Sequence, residues 1–190
     1  MVARQAVILV GGRGERLNDG FRFAPAVETP KPLIEVGGKP FVTYAINYFK
    51  GIGVADIVLL VGYKKEVYEL LRDDVVRLVE TQEDVNEAVL SIPGLQDLFI
   101  LLNGDCFPVM DWRDFIKTDT PRVAVKIVGR DAGIAVVSKI DVEDGIVDCS
   151  KIGEMQAVYE RYTILGGLHI GTYQGLARAR QFMDIVVFGQ

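Results

Sequence analysis

The sequence opens with a strand-like apolar run that ends in a glycine-rich loop carrying two arginines. Residues 6–10 read AVILV, and residues 11–16 read GGRGER. Because glycine has no side chain, the backbone of such a loop turns tightly and its amide N–H groups can approach a ligand closely. Arg13 and Arg16 add positive charge beside these amides. This combination predicts a binding site for a polyphosphate.

A lysine held between two prolines follows this loop. Pro30 and Pro32 restrict φ and stiffen the backbone on both sides of Lys31. Farther along the chain, the apolar run 98–102 leads directly into Asn103-Gly104-Asp105. The sequence therefore places one rigid cation and one carboxylate where a charged substrate could meet both.

The composition indicates a globular chain whose partner is a small anion. Of its 190 residues, 49% are hydrophobic and 25% are charged, which suffices for one domain with a full core. The net charge of −5 argues against non-specific binding to nucleic acid. Residues 1–40 nevertheless carry a net charge of +2, which leaves −7 for the remainder. This local positive excess suits an anionic ligand held at the loop.

Targeting signals are not evident in the sequence. No apolar run approaches the length of a membrane span, and the N-terminus lacks the features of a secretory signal, so we expect a cytoplasmic protein without a membrane partner. Cys106 and Cys149 show no metal or redox spacing. Trp112 and the apolar segment 185–188 leave two alternatives open, namely core packing and the interface of a homo-oligomer.

Apolar runs alternate with helical patterns through the first half of the chain. The patterns predict strands over 6–10, 57–61, 75–79 and 98–102, and helices over 41–52, 64–71 and 83–90. This alternation is typical of an α/β parallel sheet, whose ligands lie beyond the carboxyl ends of the strands. Because the glycine loop and Asp105 both follow predicted strands, we expect them at one edge of the sheet.

The pattern changes after residue 111, where strands dominate. Strands are predicted over 123–128, 134–137 and 164–170, a hairpin turn at Asp144-Gly145, and a last helix over 178–183. We expect a mixed or antiparallel extension of the sheet within one domain spanning 1–190. His169 lies in a strand-like run beside glycines, which is more typical of packing than of catalysis.

The glycine loop departs from two common phosphate-binding motifs. No Gly-Lys-Ser/Thr follows it, which excludes a Walker A loop. Leu17 occupies the third glycine position of the dinucleotide fingerprint, and the second strand ends without an acidic residue.

Three motifs together resemble the sugar-1-phosphate nucleotidyltransferases, also called NDP-sugar pyrophosphorylases. They are Gly-Gly-x-Gly-x-Arg-Leu at 11–17, Pro-Lys-Pro-Leu at 30–33, and Leu-Leu-Asn-Gly-Asp at 101–105. The segments 38–41 (GKPF) and 61–64 (VGYK) are most similar to the D-glycero-D-manno-heptose 1-phosphate guanylyltransferase branch. The resemblance implies the nucleotide-diphospho-sugar transferase fold, a Rossmann-like sheet flanked by helices. It also implies a nucleotide half over 1–107 and a sugar-binding half over 108–190.

The resemblance implies an Mg²⁺-dependent enzyme that transfers a nucleoside monophosphate from a nucleoside triphosphate, with GTP favoured, to a sugar-1-phosphate and releases pyrophosphate. Arg16 would hold the leaving phosphates, Lys31 would bridge the α-phosphate and the sugar phosphate, and Asp105 would hold Mg²⁺. The other implied residues are Leu9, Gly11, Gly12, Arg13, Gly14, Gln82 and Gly104 for the nucleotide, Gly133, Glu154 and Gly167 for the sugar, and Asp184 as a second metal carboxylate.

Departures from the family pattern keep two other functions open. Glu15 stands where the family usually has threonine, and residues 83–88 replace a Gly-Thr-rich segment that meets the base. A catalytically impaired relative that binds nucleotide or sugar phosphate as a regulatory module is therefore one alternative. A nucleotide-sugar-dependent glycosyltransferase is another, although that class usually carries an aspartate pair where Asn103-Gly104-Asp105 offers one carboxylate.

Overall fold

A mixed sheet of seven strands forms the centre of the part of the chain described by the computed structural model, which comprises residues 3–12, 29–80, 84–126, 131–164, 166–170 and 172–188. In spatial order its strands are β10 (Glu160–Ile164), β8 (Arg122–Lys126), β9 (Asp131–Ser138), β6 (Leu98–Asn103), β1 (Gln5–Leu9), β4 (Asp56–Val61) and β5 (Val76–Glu80). Two short antiparallel pairs stand beside it, β2 (Glu35–Val36) with β3 (Lys39–Pro40), and β7 (Cys106–Val109) with β11 (Gly166–His169).

Helices connect the strands. The α-helices are α1 (Val42–Gly51), α2 (Val85–Leu90), α3 (Trp112–Ile116), α4 (Lys139–Glu143) and α5 (Tyr173–Phe188), and the 3₁₀ helices span Lys31–Leu33, Lys65–Leu71 and Ile152–Ala157. Among these described helices, none combines the length and the apolar character that crossing a membrane requires.

The direction of the strands confirms a mostly parallel sheet with a mixed extension. Strand β1 pairs in parallel with both β4 and β6, and β4 pairs in parallel with β5. Strand β9 runs antiparallel between β6 and β8. The carboxyl ends of β1, β4 and β6 therefore reach the same edge of the sheet, as the alternating sequence pattern predicts.

Both faces of the sheet are covered by packed side chains. Along β1, Ala6 and Ile8 join the core under α1, where Phe49 is fully buried. Val7 points to the opposite face and joins the core that includes Val89 of α2. Because successive strand residues point to opposite faces, a continuous apolar run is what a strand buried on both sides requires. The apolar run continues through Val10, which is buried, and the glycines follow it.

Several sequence predictions for the second half were wrong. The segment predicted as one strand over 164–170 is divided between β10 and β11, which belong to different sheets. Asp144-Gly145 follows α4 and does not join two strands. Gly145 has φ +69°, and its N–H lies 3.2 Å from the carbonyl oxygen of Val142. Glycine adopts a positive φ both at the end of a helix and in a hairpin turn. The Asp-Gly dipeptide alone therefore could not distinguish a helix end from a hairpin.

Two other predicted elements also differ from the structure, and one of the alternatives left open for Trp112 is resolved. The last helix is longer than 178–183, because α5 spans Tyr173–Phe188. The predicted helix over 64–71 is a 3₁₀ helix, Lys65–Leu71. Trp112 is core, because its side chain is almost wholly buried and its indole N–H donates to the Pro108 carbonyl at 2.8 Å.

A polar cluster anchors the starts of three neighbouring elements. Asp56 accepts hydrogen bonds from Gln5 Nε2 at 2.6 Å and from Arg77 Nε and Nη2 at 2.8 and 2.9 Å. Partial burial raises the pKa of Asp56, but the hydrogen bonds from Arg77 and Gln5 and the charge of Arg77 outweigh it, so the net pKa lies below its ordinary value. A depressed folded-state pKa stabilises the fold above the unfolded-state pKa, and this contribution is lost as the pH falls through the folded-state pKa.

We expect Asp56→Asn to lower the free energy of unfolding at pH 7 by about 1–2 kcal/mol, because charge-assisted hydrogen bonds are lost from a half-exposed site. Urea denaturation between pH 7 and pH 3 should show a shallower acid decline for this variant than for the wild type. Asp119→Asn, at an exposed position, is the matched control and should follow the wild type. Identical pH dependence of Asp56→Asn and the wild type would contradict the assignment.

Candidate active site

The residues after β1 approach the end of β4 closely at Gly11. A Cβ atom on Gly11 would lie 3.0 Å from the Gly62 nitrogen and 3.3 Å from the Val61 carbonyl carbon. The Gly11 carbonyl also accepts a hydrogen bond from the Tyr63 N–H at 3.1 Å. A Cβ on Gly12, in contrast, would meet no described atom within 4 Å. A side chain at Gly11 would thus crowd the backbone that follows β4, whereas one at Gly12 would meet no atom of the residues that the structure describes.

Gly104 is the point at which β1, β6 and the lysine segment converge. Its N–H donates to the Leu9 carbonyl at 3.0 Å. A Cβ there would lie 2.8 Å from Val10 Cγ1, 2.9 Å from the Leu9 oxygen and 3.1 Å from Pro32 Cγ. The missing side chain lets the next residue, Asp105, stand beside Lys31.

The structure brings together the predicted cation and carboxylate. Lys31 Nζ lies 4.0 Å from Asp105 Oδ2, and the two side chains are only 11% and 18% exposed. Lys31 begins a one-turn 3₁₀ helix after Pro30, so its backbone direction is set by the prolines around it. Removing an ammonium and a carboxylate from water costs free energy. Binding of a phosphate by Lys31 and of a cation by Asp105 would offset part of that cost.

A third side chain, His169, completes this cluster. His169 Nε2 lies 3.3 Å from Asp105 Oδ2, and the Ile170 N–H donates to the Asp105 carbonyl at 2.9 Å. The sequence favoured a packing role for His169, but its side chain is 39% exposed and faces the carboxylate. Its position depends on pairing between β7 and β11, which are far apart in the chain, so no local pattern could reveal it.

Opposing effects act on the carboxyl of Asp105. Burial raises its pKa, but the hydrogen bond with His169, the charges of His169 and Lys31, and the contact with Cys106 together lower it. The net pKa of Asp105 lies below its ordinary value. The carboxylate is therefore ionised at neutral pH, as a ligand for a cation must be.

The predicted sugar-binding residues divide into two groups. Gly133 has φ +74°, and a Cβ there would lie 2.5 Å from Cys106 Sγ, while a Cβ on Gly167 would lie 2.9 Å from Pro108 Cα. Both glycines thus let neighbouring strands close around β7. Glu154 is different, because its side chain is 74% exposed and its carboxylate lies 3.9 Å from Lys151 Nζ. No described contact links Glu154 to Asp105, and the contacts of all three with sugar remain predictions.

Other predicted residues cannot be placed. Arg13, Gly14, Arg16 and Gln82 lie outside the described residues. Asp184 lies in α5, and its side chain is likewise outside the description. Leu9, at the end of β1, is half-buried and contributes the carbonyl that Gly104 contacts.

One group of described side chains has the donors for a metal ion. Asp105, Cys106 and His169 each place a donor atom so that all three lie within 4.8 Å of one another. The Asp105 carboxylate fits any divalent cation, including Mg²⁺. The neighbouring imidazole and thiol are donors that Mg²⁺ does not prefer. The residues therefore fit a divalent cation at Asp105.

Gly104→Ala should separate the ends of β1 and β6, because its Cβ would meet two backbone or buried atoms within 3 Å. We expect a loss of about 1–3 kcal/mol in the free energy of unfolding, as for other overpacked sites. Gly51→Ala is the control, because a Cβ at this helical position meets no described atom within 4 Å and should be neutral or stabilising. Urea denaturation of both variants checks the difference, and equal stability would refute the packing argument.

The sequence is similar to those of known nucleotidyltransferases. Residues 6–94 match the family model described as the MobA-like NTP transferase domain. The chain is 42% identical over 77 residues to the choline-phosphate cytidylyltransferase of Streptococcus pneumoniae. The aligned region covers 40% of this chain and 31% of that protein. It is 27% identical over 122 residues to the D-glycero-alpha-D-manno-heptose 1-phosphate guanylyltransferase of Aneurinibacillus thermoaerophilus, covering 60% and 51%. The chain thus spans a third to a half of the length of these curated relatives.

The fold likeness extends farther than the sequence likeness. The crystal structure of HddC from Yersinia pseudotuberculosis complexed with GMP-PN superposes with a TM-score of 0.71 at 19% identity, covering 96% of this chain and 99% of that one. At this identity the likeness concerns the fold alone. The chain is therefore similar in sequence, over residues 6–94, to the MobA-like NTP transferase domain, and it has an α/β fold of the nucleotidyltransferase type over nearly its whole length.

Proposed function

We propose that this protein transfers a nucleoside monophosphate from a nucleoside triphosphate to a phosphorylated sugar or alcohol and releases pyrophosphate. The observation that carries the proposal is the pairing of Lys31 and Asp105, 4.0 Å apart, at the sheet edge where Gly11 and Gly12 follow β1. One ammonium and one carboxylate meet there. The match of residues 6–94 to an NTP transferase domain and the relatives' printed names support this class of reaction.

The reaction needs charge neutralisation more than acid–base chemistry. A phosphate oxygen of the acceptor attacks the α-phosphorus, the bond from this phosphorus to the β-bridging oxygen breaks, and pyrophosphate leaves. The attacking oxygen is already ionised at neutral pH, because the second pKa of a phosphate monoester is about 6. Lys31 would offset the negative charge that two phosphates bring together. A divalent cation bound at Asp105 would supply further positive charge to the phosphate oxygens.

We further propose that the acceptor is a sugar-1-phosphate and that the nucleotide is GTP. The resemblance of the segments 38–41 and 61–64 to heptose-1-phosphate guanylyltransferases supports this pair. The Aneurinibacillus relative and the Yersinia complex are in agreement with it, whereas the Streptococcus relative is named for a cytidylyl transfer to choline phosphate. The experiment below therefore varies both the nucleoside triphosphate and the phosphorylated acceptor.

A second candidate function is nucleotide binding without transfer, and one described segment bears on how the base would be recognised. Residues 84–88 stand where a base-contacting segment is expected from the family resemblance. Asp84 instead caps α2 by accepting from the Asn86 N–H at 2.8 Å. The Asn86 side chain donates to the Val147 carbonyl at 2.9 Å and accepts from the Cys149 N–H at 2.7 Å. Because these polar groups serve the fold, other residues must recognise the base.

Lys31→Ala should lower the rate of transfer by about 10²-fold or more, because an electrostatic contact to the reacting phosphates is lost. The measurement is pyrophosphate release with a divalent metal, from four nucleoside triphosphates combined with several sugar-1-phosphates and phosphocholine. Lys39→Ala is the matched control, because Lys39 is an exposed lysine of β3 and should leave the rate unchanged.

The outcomes separate the candidate functions. Pyrophosphate release from one pair of substrates, lost in Lys31→Ala but kept in Lys39→Ala, supports nucleotidyl transfer and identifies the two substrates. Nucleotide binding by calorimetry without release from any pair supports the binding module. Transfer of sugar from a nucleotide sugar without pyrophosphate release would instead indicate a glycosyltransferase.

A further inference from the structure

The donor atoms around Asp105 are chemically mixed. Asp105 Oδ2 lies 3.3 Å from His169 Nε2, and Asp105 Oδ1 lies 3.5 Å from Cys106 Sγ. A nucleotide-binding site that serves Mg²⁺ is normally built from oxygen ligands and water. Here the two nearest protein donors to the carboxylate are a nitrogen and a sulfur.

The backbone fixes this arrangement. Strands β7 and β11 are antiparallel, and Cys106 lies directly opposite His169 in their register. Side chains of directly opposed residues project from the same face of a sheet, with Cβ atoms about 4.5–5.5 Å apart. Asp105 immediately precedes β7, and its carbonyl accepts from the N–H of Ile170. The three donors are thus placed by one strand pair and not by flexible loops.

Two glycines hold the histidine and cysteine in this position. Gly133 leaves room for Cys106 Sγ, which would lie 2.5 Å from a Cβ at position 133. Gly175 lets the first turn of α5 press on the His169 backbone, because a Cβ there would lie 2.0 Å from the His169 carbonyl oxygen. Both close approaches restrict the backbone on either side of the cluster.

We propose that Asp105, Cys106 and His169 form a binding site for a divalent transition metal of the zinc type, and that this site prefers such an ion to Mg²⁺. Donors that share a tetrahedral zinc lie about 3.3–3.8 Å apart, given metal–ligand distances of about 2.0–2.3 Å. The separation between His169 Nε2 and Asp105 Oδ2, 3.3 Å, falls within that range, and the thiol of Cys106 lies 3.5 Å from the other carboxylate oxygen, Oδ1. One donor atom from each of the three residues lies within 4.8 Å of the others. Small side-chain rotations would complete the site.

Three protein donors would leave one coordination position for a substrate oxygen, as in catalytic zinc sites. Thiol and imidazole donors favour Zn²⁺ and Co²⁺, whereas Mg²⁺ demands oxygen ligands. Lys31, 4.0 Å from Asp105 Oδ2, adds a positive charge beside the ion. A phosphate bound between the metal and Lys31 would reduce this repulsion, so substrate and metal should strengthen each other's binding. The metal preference rests on the geometry, and only the role of the ion rests on the proposed function.

Cobalt binding tests the site without any measurement of activity. The full chain, freed of metal by a chelator, should bind Co²⁺ with the visible absorption of a low-coordinate site and a near-ultraviolet thiolate-to-cobalt band. Added Zn²⁺ should displace the cobalt, whereas a hundredfold excess of Mg²⁺ should not. Cys106→Ser should abolish the thiolate band, and His169→Gln should weaken Co²⁺ binding by about 10-fold or more.

Controls distinguish a bound metal from other causes. Cys149→Ala removes the other cysteine, which is buried elsewhere, and should keep the thiolate band. Thermal melts of the metal-free variants establish that each is folded. Binding of Co²⁺ that is unchanged in folded Cys106→Ser and folded His169→Gln would overturn the proposal, as would equal affinity for Mg²⁺ and Zn²⁺. Cobalt binding without pyrophosphate release would overturn only the proposed reaction, and the reverse result would overturn only the metal preference.

Discussion

The close contact between the ends of β1 and β6 is the constraint on which the site depends. Gly104 has atoms of Leu9, Val10 and Pro32 about 3 Å from where its side chain would begin. No larger residue fits there without a shift of backbone or buried atoms. The contact holds the lysine segment against the strand end, and so it keeps an ammonium beside a carboxylate that is largely removed from water. Without that contact, the two charges would each be better solvated apart.

The rest of the fold supports this edge from two directions. On one side, the buried parallel strands β1, β4 and β6 align their carboxyl ends, and Gly11 lets β1 and β4 close together. On the other side, β9 reverses direction beside β6 and brings Gly133 against Cys106. Residues from the first and second halves of the chain therefore meet at the residues that follow β6.

The placement of Gly11, Gly12 and Asp105 at one edge of the sheet could be predicted from the sequence, for a physical reason. Strands buried on both faces leave continuous apolar runs, and Asp105 and the glycine loop directly follow such runs. Lys31 was marked by the prolines around it. His169 was not predictable, because its approach to Asp105 depends on a strand pair that joins positions about sixty residues apart. The hairpin predicted at Asp144-Gly145 was wrong, because glycine adopts the same positive φ at the end of a helix as in a tight hairpin turn.

The antiparallel pairing of β7 with β11 has a consequence for how the protein is made. Asp105 and Cys106 leave the ribosome well before His169, and a synthesis rate of about 5–20 residues per second separates them by several seconds. During that interval the parallel core can already close, while the carboxylate and the thiol still lack their histidine. The contact between Asp105 and His169 can thus form only after β11 and the start of α5 have emerged, later than the pairing of the parallel strands β1, β4, β5 and β6.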